Sequence, residues 1–355
     1  MDMNSIGEAV DRLVTVPMSN WTILKGLPLT SIYEAARAKA GEPLTMKAAR
    51  LLMEQVKKDD VVLLLSGFVI KNWNLPETDG PIGAAALARS LDLAMGAVPV
   101  ILTEDLLKDN LAATAAAGGM IVCDSMEEIR YGGRGRKTMV MGFPLDHEEA
   151  KKEAVRILDE LQPKAVIAVE RPGWNEKHVH HSGMGYDISS VTAKLDYLYE
   201  EAMNRGILTI GVGDLGNEMG MGYVKDEIRA GIPNAERCLC GCGGGIACDL
   251  SADVGLICNI SNWGAYGICA CLAALSGEEE VMHDSQTEKY MIEECVRAGA
   301  LDPFSGMHRP YVDGEPLQTN MHIIDLLHGI IRHATVGSIF TRSYQDTWKN
   351  KIKNL

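Results

Sequence analysis

An α/β fold, doubly wound around a mainly parallel sheet with helices on both faces and an N-terminal helical cap, follows from three features of the sequence. Short apolar, largely β-branched runs recur between residues 61 and 258 at spacings that suit crossover connections rather than hairpins. Segments of helical periodicity lie between several of those runs. Ahead of the first run, residues 5–58 read as helices broken by turns and loop segments.

Taken in order, the N-terminal helices break at Pro17, Pro28 and the Gly41-Glu-Pro43 turn, and Ala35–Ala40 and Met46–Met53 combine strong helix formers with an apolar face. This divides the chain into a helical segment, 1–58, packed on an α/β catalytic domain, 59–355. The first strand is expected at Val61–Leu65, followed by a loop from Phe68 to Asp79. Past Gly80-Pro81 comes a helix over Ala84–Met95, since proline suits a first turn, where its missing N–H has no partner to lose. Further strands are expected at Val98–Leu102, Gly119–Cys123, Thr138–Met141, Ala165–Val169, Leu208–Val212 and Val254–Cys258, with helices notably at 147–161 and 190–205. Two helices, Ser285–Ala300 and Met321–Ala334, pack back on the domain across Pro303, Gly306 and the Asp313-Gly314 turn.

With 34 basic and 48 acidic residues the net charge is −14, which repels nucleic-acid phosphates and makes nucleic acid a poor partner. No apolar run reaches the ~18 residues of a membrane span. The first residues, MDMNSIGEAVDRLV, show neither a signal peptide nor a transit sequence, so a cytoplasmic protein is expected. Nine cysteines, an odd number and partly within apolar runs, suit reduced thiols better than a disulfide framework. Composition leaves homo-oligomerisation open.

The most informative stretch is Gly211-Val-Gly-Asp-Leu-Gly-Asn-Glu-Met-Gly-Met-Gly222, which follows a strand. Gly211, Gly213 and Gly216 match a dinucleotide-type G-x-G-x-x-G, yet Asp214 and Glu218 would repel a pyrophosphate. The loop instead suits something cationic, an ammonium group or a metal, with Asn217 offering an amide. The plain alternative is a tight turn whose aspartate caps the next helix.

Other polar clusters also follow strands, as a site at the carboxyl edge of a parallel sheet requires. Thr78-Asp79-Gly80-Pro81 opens a helix, so its amides can hold a carboxylate while Asp79 orients a donor, or Asp79 is simply an N-cap. In Glu170-Arg171-Pro-Gly173, Glu170 suits a base or metal ligand and Arg171 a clamp for a substrate carboxylate, with a salt bridge as the alternative. Ser261-Asn262 precedes an alanine-rich helix, where Asn262 offers a ligand both donor and acceptor or is only a helix cap. His178-x-His180-His181 and Cys238-x-Cys240-x-Cys242, with Cys248 beyond, raise metal readings. The cysteine spacing fits neither the usual zinc patterns nor a ferredoxin run, so free thiols in a flexible loop are expected there, and no redox centre.

Together, TDGPIGA at Thr78–Ala84, ERPG at Glu170–Gly173, GDLGNEMGMG at Gly213–Gly222 and SNWGAY at Ser261–Tyr266 resemble the D-glutamate cyclase family, from about residue 60 to about residue 270. Leu215 stands where the family more often has glycine, and His178–His181 match no family motif. The resemblance implies a lyase that closes D-glutamate to 5-oxo-D-proline with loss of water. On that reading Asp214, Glu218 and Glu170 are the catalytic carboxylates, and Thr78, Asp79, Gly80, Arg171, Asn217, Ser261 and Asn262 bind the acidic amino-acid substrate. A divalent metal, manganese or magnesium, is one way to neutralise the γ-carboxylate. Two other readings use the same groups: a metal-assisted lyase or hydrolase on another acidic amino-acid derivative, and a non-catalytic sensor of an acidic metabolite.

Overall fold

The computed structural model describes residues 2–17, 29–131, 133 and 135–335. Seven strands, β1 (Val61–Ser66), β2 (Val98–Thr103), β3 (Ile121–Cys123), β4 (Lys137–Gly142), β5 (Ala165–Val169), β6 (Leu208–Gly213) and β7 (Val254–Ile257), form one sheet in the order β3-β4-β2-β1-β5-β6-β7. Every neighbouring pair is parallel, so the sheet is wholly rather than mainly parallel. β1 and β5 at its centre are buried along their length, which is why they read as unbroken apolar runs.

The helices are α1 (Met3–Val14), α2 (Leu29–Ala40), α3 (Leu44–Gln55), α4 (Pro81–Met95), α5 (Lys108–Ala117), α6 (Met126–Tyr131), α7 (His147–Leu161), α8 (Asp196–Asn204), α9 (Lys225–Gly231), α10 (Ser261–Ser276), α11 (Ser285–Arg297) and α12 (Leu317–Thr335). The chain first winds outward from β1 through β2, then returns through β4 to β5 on the other side of β1. With right-handed crossovers this reversal puts α4 and α5 on one face and α7 and α8 on the other. α4 packs on α5 and α10, while α7 packs on α8. The reversal also opens a crevice between the carboxyl ends of β1 and β5.

The N-terminal helices lie against this frame: α1 and α3 pack on α10, and α2 packs along β7. Asp11 of α1 is buried and accepts the Leu44 and Thr45 amides at 2.6 and 3.0 Å, so it holds the start of α3 in place of a local cap. The helix break expected at Pro28 lies outside the described residues. None of the described helices is long and apolar enough to cross a membrane.

Two local expectations differ from the structure. The helix expected over 190–205 begins only at Asp196, because the Ala193 amide donates to Glu104 at 2.9 Å and its carbonyl accepts from Arg171 at 2.8 Å. Tertiary partners there override helix propensity. The strand expected from Gly119 begins at Ile121, the preceding residues being consumed in the turn that closes α5.

Candidate active site

The loops after β1, β5, β6 and β7 converge at the carboxyl edge of the sheet on a cleft of about 930 Å³, lined among others by Glu77, Glu170, Asp214, Asn217, Asn259 and Asp313. Carboxylate oxygens of Glu170, Asp214 and Glu218 lie within 4.8 Å of one another, and so do those of Asp79, Asp214 and Asp313. Asp214 belongs to both groups and joins them.

Each carboxylate is placed by its backbone. Glu170 sits directly after β5 at φ 42°, a left-handed conformation that costs a non-glycine residue about 1–3 kcal/mol. Its Oε2 accepts the Ser261 hydroxyl at 2.6 Å. Gly80 opposite has φ 94°, and a Cβ there would lie 3.0 Å from both the Glu170 Cβ and the Ser66 Oγ, so only glycine fits. Glu218 closes its own loop by accepting the Leu215 and Gly216 amides at 2.9 and 2.6 Å. That loop is stitched to the one after β5 by Met219 N to Arg171 O at 2.7 Å and Gly173 N to Asn217 O at 2.9 Å.

Asp79 and Asn262 cap each other's helices. Asp79 accepts the Ser261 and Asn262 amides at 2.8 and 2.7 Å, at the start of α10, and Asn262 Oδ1 accepts the Gly80 and Gly83 amides at 2.9 and 2.7 Å, at the start of α4. The Asn262 amide nitrogen donates to the Thr78 carbonyl at 3.2 Å. The amides expected to cradle a substrate carboxylate at Gly80 and Asn262 are therefore bonded within the protein. Arg171 likewise finds its carboxylate inside the fold: wholly buried, it binds Glu104 through two contacts of 2.7 Å and donates to Gly67 O and Ala193 O. It is a clamp, as its type suggests, but on Glu104.

Crowding controls protonation. Burial, then the charges of Glu218, Asp79 and Glu77, pushes the Glu170 carboxyl well above the usual range. Asp214 is raised in the same way by burial, Glu170 and Glu218. Glu77 and Asp313 rise through burial and then through Asp313 and Asp79 respectively. Asp79 is pushed up to about 7 by burial, against the three amides that favour its charged form. Cys258, also in the cleft, is held well above a normal thiol by burial and by the Asp79 and Glu170 charges, which does not suit a nucleophile.

Three cleft residues were not singled out from sequence. Glu77 precedes the Thr78-Asp79 motif, Asp313 sits in the Asp-Gly turn, and Asn259 follows β7. Asn217 Oδ1 and Asn259 Nδ2 are buried with no partner among the described residues, and both residues line the cleft, one atom an acceptor and the other a donor. Lys71 is the one basic side chain among the described lining residues, and it donates to Asp187 O at 2.6 Å. The histidine run divides: His178 stacks on Trp174, His180 bonds Asp196 at 2.7 Å, and His181 faces the cysteines.

A curated protein of Homo sapiens, the mitochondrial D-glutamate cyclase, is 29% identical over 221 residues, which cover 60% of this chain and 33% of that protein. The match thus spans about a third of the length of that relative. The D-glutamate cyclase-like, C-terminal family pattern matches residues 30–328, a stretch holding the whole sheet and every carboxylate that lines the cleft, and the chain belongs to that family.

Proposed function

We propose that this protein is a lyase that closes D-glutamate to 5-oxo-D-proline and water, with 59–355 as the catalytic domain and 1–58 as a segment packed on it. The observation that carries the reading is the Glu170, Asp214, Glu218 cluster at the switch point of the sheet, of which Glu170 and Asp214 line one cleft. In the reaction the α-nitrogen bonds to the γ-carbon and one γ-carboxylate oxygen leaves. Two protons pass from the ammonium group to that oxygen, which departs as water. One ionised carboxylate to take a proton and one protonated carboxyl to give one are needed together, and a crowded pair whose members cannot both ionise supplies both. Asp214 and Glu170 are that pair. Glu218, bonded to loop amides, holds the loop and adds negative charge toward the ammonium group. Asn259 Nδ2 is the donor assigned to the substrate α-carboxylate, and Asn217 Oδ1 the acceptor for its ammonium group. Thr78, Asp79, Gly80, Arg171, Ser261 and Asn262 act by positioning.

The cleft also fits a divalent cation. An all-oxygen carboxylate set with a buried Asn217 Oδ1 that has no partner among the described residues suits magnesium or manganese, and Glu170, Asp214 and Glu218 would hold the ion. When bound, such an ion supplies charge neutralisation at a carboxyl oxygen.

Purified protein incubated with D- and L-glutamate, with and without manganese or magnesium, is expected to release 5-oxoproline from the D enantiomer, read by chiral chromatography. Ligand-dependent stabilisation with no product from either enantiomer would favour a sensor, and turnover of another acidic amino-acid derivative alone would favour the wider lyase or hydrolase reading.

The carboxylates also give a pH signature. The folded chain holds protons on Asp79 up to about pH 7, whereas the carboxyl ordinarily loses them near 3.8. That contribution to stability is full below 3.8 and is lost as the pH climbs through about 7. Without added metal, the melting temperature is therefore expected to fall over this window. Manganese should raise it more at about pH 8 than at about pH 5, because the ion competes with the protons that burial and crowding hold on Glu170 and Asp214. An equal shift at both pH values would remove the ion from the cluster.

A further inference from the structure

The cysteine loop, set aside on spacing, gains a fourth member in three dimensions. His181 Nε2 lies 3.2 Å from Cys240 Sγ and 3.8 Å from Cys242 Sγ, and Cys238 Sγ lies 3.3 and 3.4 Å from those two sulfurs. All four ligand atoms fall within 4.8 Å of one another. The cysteines are free, and these sulfur separations exceed a disulfide bond of about 2.05 Å. A tetrahedral zinc ion with bonds of about 2.3 Å to sulfur and 2.0–2.1 Å to nitrogen sets its ligand atoms roughly 3.5–3.8 Å apart. The observed separations are close to the edges of that tetrahedron.

Local sequence accounts for the convergence. In Cys238-Leu-Cys-Gly-Cys-Gly, Gly241 and Gly243 take φ 83° and 84°, coiling the backbone so that three alternate thiols turn to one side. A Cβ at either glycine would meet nothing, so the conformation rather than space calls for glycine. Asn175 Nδ2 at 3.5 Å and the Gly244 amide at 3.4 Å both donate to Cys242 Sγ, as donors around a metal thiolate do.

We propose that Cys238, Cys240, Cys242 and His181 form a structural zinc site, separate from the carboxylate cleft, that fixes one wall of it. Zinc is chosen because three thiolates and one imidazole make a soft, closed set with no place left for substrate. Three thiol protons leave to solvent as the ion binds, and no electron is transferred. The link to the cleft is short. The His181 carbonyl accepts Asn217 Nδ2 at 3.0 Å, and Ser182, Gly183 and Met184, which follow His181, line the cleft.

The test uses the full chain, produced with zinc in the medium and kept reduced. Elemental analysis is expected to give one zinc per chain, and cobalt(II) exchanged into the site should show intense thiolate-to-metal absorption with the bands of a tetrahedral ion. Cys240→Ser and Cys242→Ser should each abolish both signals and speed hydrogen exchange over residues 179–188, while Glu170→Gln keeps them. Because the cobalt spectrum is read on the unaltered chain, misfolding of a variant cannot decide the matter. Failure of the reduced chain to take up zinc or cobalt overturns the proposal. So does zinc retained through both cysteine substitutions, or iron with sulfide in its place.

Discussion

Asp214→Asn is expected to lower 5-oxoproline formation by about 10²- to 10⁴-fold, the usual contribution of a positioned acid or base, while the melting temperature at neutral pH stays level or rises. The two halves of this expectation have one cause. Asp214 belongs to both carboxylate groups, and burial, Glu170 and Glu218 already disfavour its ionised form. Replacing it with a neutral isostere relieves that repulsion and removes the proton carrier together. A residue kept for the fold would behave in the opposite way. Turnover measured beside a thermal melt decides the question, and near-native turnover in Asp214→Asn would take this carboxylate out of the chemistry.

The second large effect concerns stability. Arg171→Met should cost about 3–5 kcal/mol, because it strands the Glu104 carboxylate in the interior without its countercharge. The side chains are 0% and 4% exposed, respectively, so solvent cannot take over. Glu104→Gln combined with Arg171→Met should recover a good part of that loss, since the stranded charge is then absent. Urea unfolding of the two single variants and the double variant measures the coupling. A weakened KM with native stability in Arg171→Met would instead restore this arginine to the substrate.

Much of the architecture was legible in the sequence because a wholly parallel sheet buries both faces of its strands, and β1, β5 and β6 accordingly read as apolar runs closed by polar motifs. The motifs gave Glu170, Asp214 and Glu218, which the structure brings to one place. What sequence could not show was who partners whom. Glu104 and Arg171 are 67 residues apart, and nothing local distinguishes a guanidinium bound for substrate from one bound for Glu104. Asp313-Gly314 has the composition of any turn, so its carboxylate becomes notable only when the hairpin Tyr311–Pro316 brings it beside Asp79 and Asp214. His181 joined the cysteines by the same kind of distant contact, 59 residues from Cys240.

The reciprocal capping of α4 and α10 bears on how the chain acquires its shape in time. Asp79 and the Asn262 amide it accepts are 183 residues apart, and Glu170 meets Ser261 across 91. Contacts so distant are reached only after the intervening chain has been ordered, because a long loop must close before it is rewarded. A nascent or refolding chain can therefore assemble β1 through β6 with their helices while α4 still presents bare amides and Glu170 has no hydroxyl beside it. Docking of β7 and α10 supplies both in one step. In a refolding time course, helical signal should return ahead of enzymatic competence, and the interval between them is the lifetime of a chain that is nearly complete but chemically silent.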